Sequence, residues 1–308
     1  MILCAGHAAY DLNFALDGYP AENRKYLVDE VEESSGGPAA NAASLLARWG
    51  APVALLAPLG EDSYGSDIRQ NLEDDGVVTA LVQSDSRYPT PFSVIVGNSA
   101  NGSRTILTRR PPRPAMVLAP EALDRWAPAV EGLLFDGHEP ELSLALMARY
   151  PRAWSVLDAG TLRPGTEALA RKVDYLVASE TFAAALPGGG AGPEAMLEAL
   201  RKLSGRWVAV TLGEQGCRWH DPVAGVRGSL PALPVRAVDT TGAGDLFHGA
   251  YAYGLWRGQS PDAALELATV AAGLSVQKRG GRASIPPLPE VEAVLAGRPC
   301  LPSLSVVG

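Results

Sequence analysis

Cysteine is scarce and odd in number. Cys4, Cys217 and Cys300 are the three in 308 residues, and none sits at a Cys-x-x-Cys or Cys/His metal spacing. Neither a disulfide framework nor a zinc site is therefore written into the chain, and a reduced, cytoplasmic setting fits. Positive charge is also in deficit, with 26 Lys+Arg against 34 Asp+Glu and a net charge of −8. Nucleic-acid binding rests on Lys and Arg meeting phosphates, so that class is disfavoured, although a local basic pocket for a nucleotide stays open. No apolar run reaches the length of a transmembrane helix. The opening MILCAGHAAYD has no basic stretch followed by a long apolar one, so it reads as a first strand and not as a signal peptide. No Gly-x-Gly-x-x-Gly follows that strand, and no Gly-x-x-x-x-Gly-Lys-Ser/Thr string occurs anywhere. A dinucleotide-binding fingerprint and a Walker-type phosphate loop are both excluded.

What is present is an ordinary globular composition, 47% hydrophobic and 19% charged. The length allows one large α/β domain or two small ones. Short strand-like runs (Ile2–Cys4, Val53–Ala57, Leu133–Phe135, Ser155–Leu157, Tyr175–Val177, Trp207–Leu212) alternate with helical stretches. The latter include Ala39–Trp49, Ser66–Asp74, Pro120–Ala129, Glu141–Arg149, Pro193–Leu203 and Gly244–Trp256. This alternation predicts βαβ units and a doubly wound, mostly parallel sheet covered on both faces. Residues 12–33 and 88–110 break the rhythm, being more polar and strand-like. They are expected to form a small β-sheet lid over the carboxyl ends of the main strands, within one α/β domain spanning 1–308. Gly188–Gly192 reads as a loop and the Pro-rich tail after Pro286 as peripheral.

The most informative segment is Asp-Thr-Thr-Gly-Ala-Gly-Asp, Asp239 to Asp245. A strand over Val235–Val238 is predicted to run into this Gly-rich turn, and a helix to start near Ala243. Gly242 and Gly244 bring bare N–H groups close together at a helix N-terminus, where unpaired donors and the positive end of the dipole converge. With Ala243 they make an anion site that needs no basic side chain. Asp245 in the same first turn can take the proton of an attacking hydroxyl. On spacing alone, an acid there is more often a cap or a dipole partner.

The full string, followed by an apolar helix, resembles the signature of the ribokinase-like (PfkB) carbohydrate kinases, and the similarity runs through nearly the whole chain. The resemblance implies ATP-dependent phosphoryl transfer to a sugar hydroxyl, with Asp245 as general base and the Gly242, Ala243 and Gly244 backbone as anion hole. GGPAANAASLLARWG at 36–50 resembles the family's Gly-Gly segment and carries Gly36, Gly37 and Asn41 over to the sugar pocket. Asp11 matches the acid that binds sugar hydroxyls. GEDSYG at 60–65 resembles the family's turn and helix start, with Asp62 as a cap. TLGEQGC, through Thr211, Gly213 and Gly216, resembles the nucleotide-side segment, although a plain hairpin turn fits those residues equally. Thr269 is placed on the nucleotide side by the same resemblance. Asp239, Thr241, Ser275, Gly280 and Ser284 match oxygen ligands of a monovalent cation, so the implied cofactors are ATP and Mg2+, with K+ as an option. One departure stands out: the family's Asn-x-x-Glu stretch, which organises the Mg2+ waters, is here Ser179 and Phe182, with Glu180 beside it.

Ketohexokinase-like and sulfofructose-kinase-like members resemble the chain more than ribokinase does, at CAGHAAYD, NGSRTIL, the lost Asn-x-x-Glu and VDTTGAGDLFHG, and the sulfofructose kinases also at GGPAA and GGRASIP. Arg104 in the lid is then a candidate for the phosphates or a solvated strand residue. Lys25 and His138 are candidates for the far end of the sugar, where an anionic group would want an Arg that this chain replaces by His138. A neutral ketose or related furanose fits no worse. Two rival readings remain open. A nucleoside kinase of the same fold would need aromatics such as Tyr19, Tyr26, Tyr88 and Phe92 around a base, and aromatics are only 6% of the chain. A sugar-binding sensor without catalysis would not need Asp245. An apolar lid face predicts a homodimer joined lid to lid.

Overall fold

A computed structural model describes residues 1–100, 103–190 and 192–297. Cys300, the end of the tail, Asn101 and Gly102 of NGSRTIL, and Ala191 of the 188–192 loop lie outside the described residues. In chain order the elements are β1 (Ile2–Ala5), β2 (Ala9–Leu16), β3 (Glu32–Gly36), α1 (Pro38–Arg48), β4 (Val53–Leu56), β5 (Pro58–Gly60), α2 (Ser63–Asp74), β6 (Gln83–Asp85), β7 (Phe92–Asn98), β8 (Arg104–Arg109), α3 (Pro120–Trp126), β9 (Gly132–Phe135), α4 (Pro140–Arg149), β10 (Trp154–Ala159), α5 (Pro164–Ala170), β11 (Tyr175–Ser179), α6 (Glu180–Ala185), α7 (Pro193–Ser204), β12 (Trp207–Thr211), β13 (Cys217–Asp221), β14 (Val226–Leu230), α8 (Ala243–Trp256), α9 (Pro261–Ser275) and α10 (Leu288–Gly297).

The central sheet has eight strands in the order β14-β13-β12-β11-β10-β9-β1-β4. The six strands from β12 to β4 are parallel, and the β13–β14 hairpin adds an antiparallel edge. Strands such as Ile2–Ala5 and Val53–Leu56 are buried throughout, because helices cover both faces. Chain order runs from β1 to β4 on one side and then to β9 and onward on the other. The crevice at that switch, outside the strand carboxyl ends, is where an open α/β sheet holds a ligand. Two apolar clusters fill the two sides, one centred on α1, α8 and α9, the other on α4 to α7.

The small sheet exists, in the order β3-β2-β7-β8, with two differences from expectation. Its first strand begins at Ala9, before residue 12, and residues 17–31 form a loop, where Gly18, Pro20 and a run of charged side chains leave no alternating apolar face. Further departures have similar local causes. Val235–Val238 joins no sheet: Pro231 and Pro234 remove ladder donors, and Val238 and Asp239 instead donate their N–H groups to the Val276 carbonyl, at 2.7 and 3.2 Å. The segment after Pro286 forms α10, whose Val291 is fully buried against α9, so it is not a peripheral tail. Asp62 does cap α2. It accepts the Gly65 N–H at 2.9 Å, and also takes the Thr90 N–H at 2.8 Å and the Thr90 hydroxyl at 2.6 Å. Those bonds, set against the cost of partial burial, hold its carboxyl below the usual range.

Candidate active site

Helix α1 begins Pro-Ala-Ala-Asn-Ala-Ala, and its small side chains face α8 at Gly249. A Cβ at Gly249 would lie 3.0 Å from the Ala42 carbonyl oxygen, so a side chain there would press the two backbones a few tenths of an ångström apart. The approach carries Asn41 on α1 to the start of α8, where its Nδ2 donates to Asp245 Oδ2 at 2.7 Å across 204 residues of sequence. Asp245 lies in the first turn of α8, and Gly242 is the N-cap with φ of +73°. A Cβ at Gly242 would stand 2.9 Å from the Gly281 Cα, so the turn requires glycine on both counts. Ala243 donates to the Thr240 carbonyl at 3.3 Å, while the Gly242 and Gly244 N–H groups have no partner among the described residues. Burial and the nearby Asp158 carboxylate push the Asp245 carboxyl up to about 7, against the opposing pull of Asn41, His248 and Arg104.

These groups open on a cleft of about 200 Å³ between the small sheet and the strand ends, lined by Asp11, Gly37, Asn41, Arg104, Gly242 and Asp245, with His7, Ser93 and Thr108 among others. Asp11, Ser93 and Thr108 lie side by side on β2, β7 and β8, a polar row made by the register of three strands. The Ser93 and Thr108 hydroxyls are 3.2 Å apart. Gly36 gives Asp11 its space: a Cβ there would fall 1.8 Å from the Asp11 carboxylate. Burial raises the Asp11 carboxyl to about 6, opposed by a Ser93 hydrogen bond. Arg104 spans the cleft from β8 and donates to the Thr240 hydroxyl, tying the small sheet to the Gly-rich turn.

Sequence reasoning missed Ser93 of that row, and two further residues. His7 lines the cleft, and its ring packs edge-on against His138 with centroids 4.9 Å apart. Burial and the neighbouring His138 bring its affinity for a proton down to about 3, so it is neutral. Asp136 follows β9 and accepts the N–H groups of His7 at 2.7 Å, Ala39 at 3.2 Å and His138 at 2.9 Å. It thereby fixes the first β-strand crossing and the start of α1 together. A lone Asp after a strand carries no such signal in sequence, because its three partners come from three separate segments.

Other expected residues are placed differently. Lys25 sits on the exposed 17–31 loop and does not line the cleft. His138 stands behind His7, with Arg163 at 3.4 Å from its Nε2 and Arg110 donating to its carbonyl at 3.0 Å. Ser179 ends β11 and caps α6, accepting the Phe182 N–H at 3.1 Å and donating to the Gly160 carbonyl at 2.8 Å. Phe182 is fully buried, whereas Glu180 is exposed. Thr211 and Gly213 lie at the β12–β13 hairpin. Gly216 is required by the backbone, since a Cβ would fall 1.9 Å from the Leu230 carbonyl. Thr269 is buried within α9 and donates to the Leu265 carbonyl at 2.8 Å. Asp239 accepts the Thr241 N–H at 2.8 Å and the Gly280 N–H at 2.9 Å, bridging two loops. The Ser275 and Ser284 hydroxyls donate to the Ala272 and Gly281 carbonyls, both at 2.8 Å.

Proteins of similar sequence and fold are known. The model of the pfkB family carbohydrate kinases matches residues 1–288. The chain is 29% identical to a ribokinase of Bacillus subtilis over 299 residues, 96% of this chain and 99% of that one. It is 26% identical to fructokinase-1 of rice, over 84% of this chain and 87% of that protein. The structure of Arabidopsis thaliana ribokinase complexed with ribose and ATP superposes with a TM-score of 0.80 at 25% identity, covering 96% of this chain and 98% of that one.

Proposed function

Since the chain belongs to the pfkB family of carbohydrate kinases, phosphotransferases with an alcohol acceptor, we propose that it moves the γ-phosphoryl of ATP onto a hydroxyl of a neutral ketose or related furanose. The observation that carries this reading is the meeting of Asp245, the open N–H groups of Gly242 and Gly244, and the Asp11 row in one cleft. The relatives include a ribokinase, a fructokinase and a structure holding ribose and ATP.

In the proposed reaction, Asp11 accepts hydrogen bonds from sugar hydroxyls, and Asn41 holds Asp245 toward the reacting one. Asp245 takes that hydroxyl's proton as the oxygen attacks the γ-phosphorus, the bond from that phosphorus to the β–γ bridging oxygen breaks, and ADP leaves. The first-turn N–H groups of α8 hold the charge that grows on the transferring phosphoryl. Arg104, beside Thr240, adds positive charge at the same turn. Mg2+, when bound with the nucleotide, neutralises phosphate charge. Phe182 is in the core, so no acid reaches the ion from that position, and it is proposed to stay with the phosphates and water. Asp239, Thr241, Ser275, Gly280 and Ser284 offer the all-oxygen set that a hard monovalent cation takes, with Asp239 already joining the two loops. Ser179 and Thr211 end the neighbouring strands β11 and β12, with Glu180 and Gly213 just beyond them, on the side assigned to the nucleotide.

The lining favours a sugar over a nucleoside. No Phe, Tyr or Trp lines the cleft among the described residues, Phe92 stacks behind it on Tyr64, and Tyr19 and Tyr26 are exposed on the loop. With Lys25 on that same loop, the neutral sugar needs no far-end clamp. A coupled ADP-release assay with MgATP, run across ketoses, pentoses, sugar phosphates, sulfosugars and nucleosides, tests this. A ketose or pentose should turn over fastest. Turnover of nucleosides alone would overturn the reading, and a sugar that raises Tm without ADP release would make the protein a sensor.

The outer face of the small sheet supports the proposed homodimer. Its strands place Leu107, 63% exposed, beside the partly buried Val94 and Val96 on the side away from the cleft. Light scattering should give about twice the monomer mass, and Leu107→Lys should return it to monomer. A monomer at high concentration for the unaltered chain would count against the lid-to-lid pair.

A further inference from the structure

One titratable cluster under the cleft has no part in the proposed reaction. His248 is 3% exposed and sits one turn below Asp245 on α8. Its Nδ1 is 2.7 Å from the Gly244 carbonyl oxygen and 3.3 Å from Asp158 Oδ2. Its Nε2 is 3.1 Å from the Val177 carbonyl oxygen. All three partners are oxygens, and the two carbonyls can only accept. Either neutral tautomer would aim a nitrogen lone pair at a carbonyl lone pair, and only a ring with hydrogen on both nitrogens donates to both oxygens. A buried cation survives only beside a counter-ion, and Asp158 is in place to be one: its strand register pairs it with Val177.

We propose that His248 is a buried imidazolium paired with Asp158, and that the pair is a positioning device for the anion-hole turn and a regulator of proton uptake by Asp245. The inference rests on the reading of Asp245 as general base. The bond from Nδ1 falls on the carbonyl of the Gly244–Asp245 peptide. The N–H of that same peptide points from the first turn of α8 toward the cleft. A cation on the oxygen side of an amide polarises its N–H and fixes the plane, so the turn is set before substrate arrives. The two charges act on Asp245 in opposite senses: Asp158 strengthens its hold on a proton and His248 weakens it. The other groups acting on these two carboxyls are Asn41, from α1, and Arg104, from β8, on Asp245, and Asp136 and His138, beyond β9, on Asp158. Burial keeps the Asp158 carboxyl above its ordinary value, with His248 as its first opposing influence.

The test has two arms. In the unaltered protein at pH 8, 15N-detected spectra of the imidazoles should show both nitrogens of His248 protonated, assigned by their loss in His248→Asn. A neutral single tautomer would overturn the pair. In the second arm, Asp158→Asn takes the counter-ion away, so the same spectra should show His248 as a single neutral tautomer, and the acid limb of the kcat/KM profile should move down, because Asp158 acts on Asp245 more strongly than His248 does. A doubly protonated His248 in Asp158→Asn, or a loss of kcat with the limb unmoved, would overturn the proposal. The spectroscopic arm does not depend on catalysis. If Asp245→Asn proved fully active, the base assignment would fail while the ionisation state of His248 was still read directly.

Discussion

Asp245→Asn should lower kcat by about 10²–10⁴-fold and leave the Kd for ATP within a few-fold of the original. The amide keeps the shape of the carboxylate and can still accept from Asn41, but it cannot take a proton. The same change should raise thermal stability in alkaline buffer. Folding lifts the Asp245 carboxyl from 3.8 to about 7, because the charged form is buried beside Asp158. A group whose affinity for its proton rises on folding gives its full stabilisation below the unfolded value and loses it as pH climbs through the folded one. The native chain therefore pays for an ionised Asp245 above about pH 7, and the asparagine chain does not. Melting curves should show the variant's advantage above that pH and its disappearance near pH 4. Normal turnover in the variant would place the base elsewhere. A Tm difference independent of pH would mean that the carboxyl is not buried as a charge.

Asp11→Ala should cut kcat/KM for the sugar by about 10²–10⁴-fold, since two charge-assisted hydrogen bonds at about 1.5–3 kcal/mol each are removed. KM for ATP should hardly change, because Asp11 belongs to the small sheet and not to the turn at α8. Burial raises its carboxyl to about 6, so the native enzyme should lose sugar affinity as the pH falls through that value, and the alanine variant should not. Initial-rate kinetics with each substrate varied in turn decide this. An equal rise in both KM values would show that Asp11 shapes the cleft and does not contact the sugar.

The alternation of strand and helix was legible because each parallel strand is buried on both sides and must be continuously apolar, and each covering helix must be Ala- and Leu-rich on one face. The Gly-rich turn was legible because close N–H packing leaves the chain few residues to choose from. Local chemistry also decided the Asp62 cap, where one side chain meets donors three residues ahead. Segments whose partners are distant could not be read this way. Val235–Val238 has the composition of a strand but no neighbour to pair with, and α10 becomes a core element only because α9 is there to receive Val291. Asp136, His7 and Ser93 carry no local signal at all.

The sequence by itself determined the α/β architecture, the Gly-rich turn with its acid, and the departure at Ser179 and Phe182, for these follow from residue type and spacing along one stretch of chain. Only the tertiary structure decided that Asn41 meets Asp245, that Asp11, Ser93 and Thr108 form one row, that Lys25 stays on an outer loop, and that His248 lies over Asp158. Each of those depends on strand register or on the approach of two helices. A shift of one residue in register would turn Asp11 away from the cleft, and a methyl at Gly249 would push α1 and α8 apart. Those distances are set by packing between segments far apart in the chain, which residue order does not encode locally.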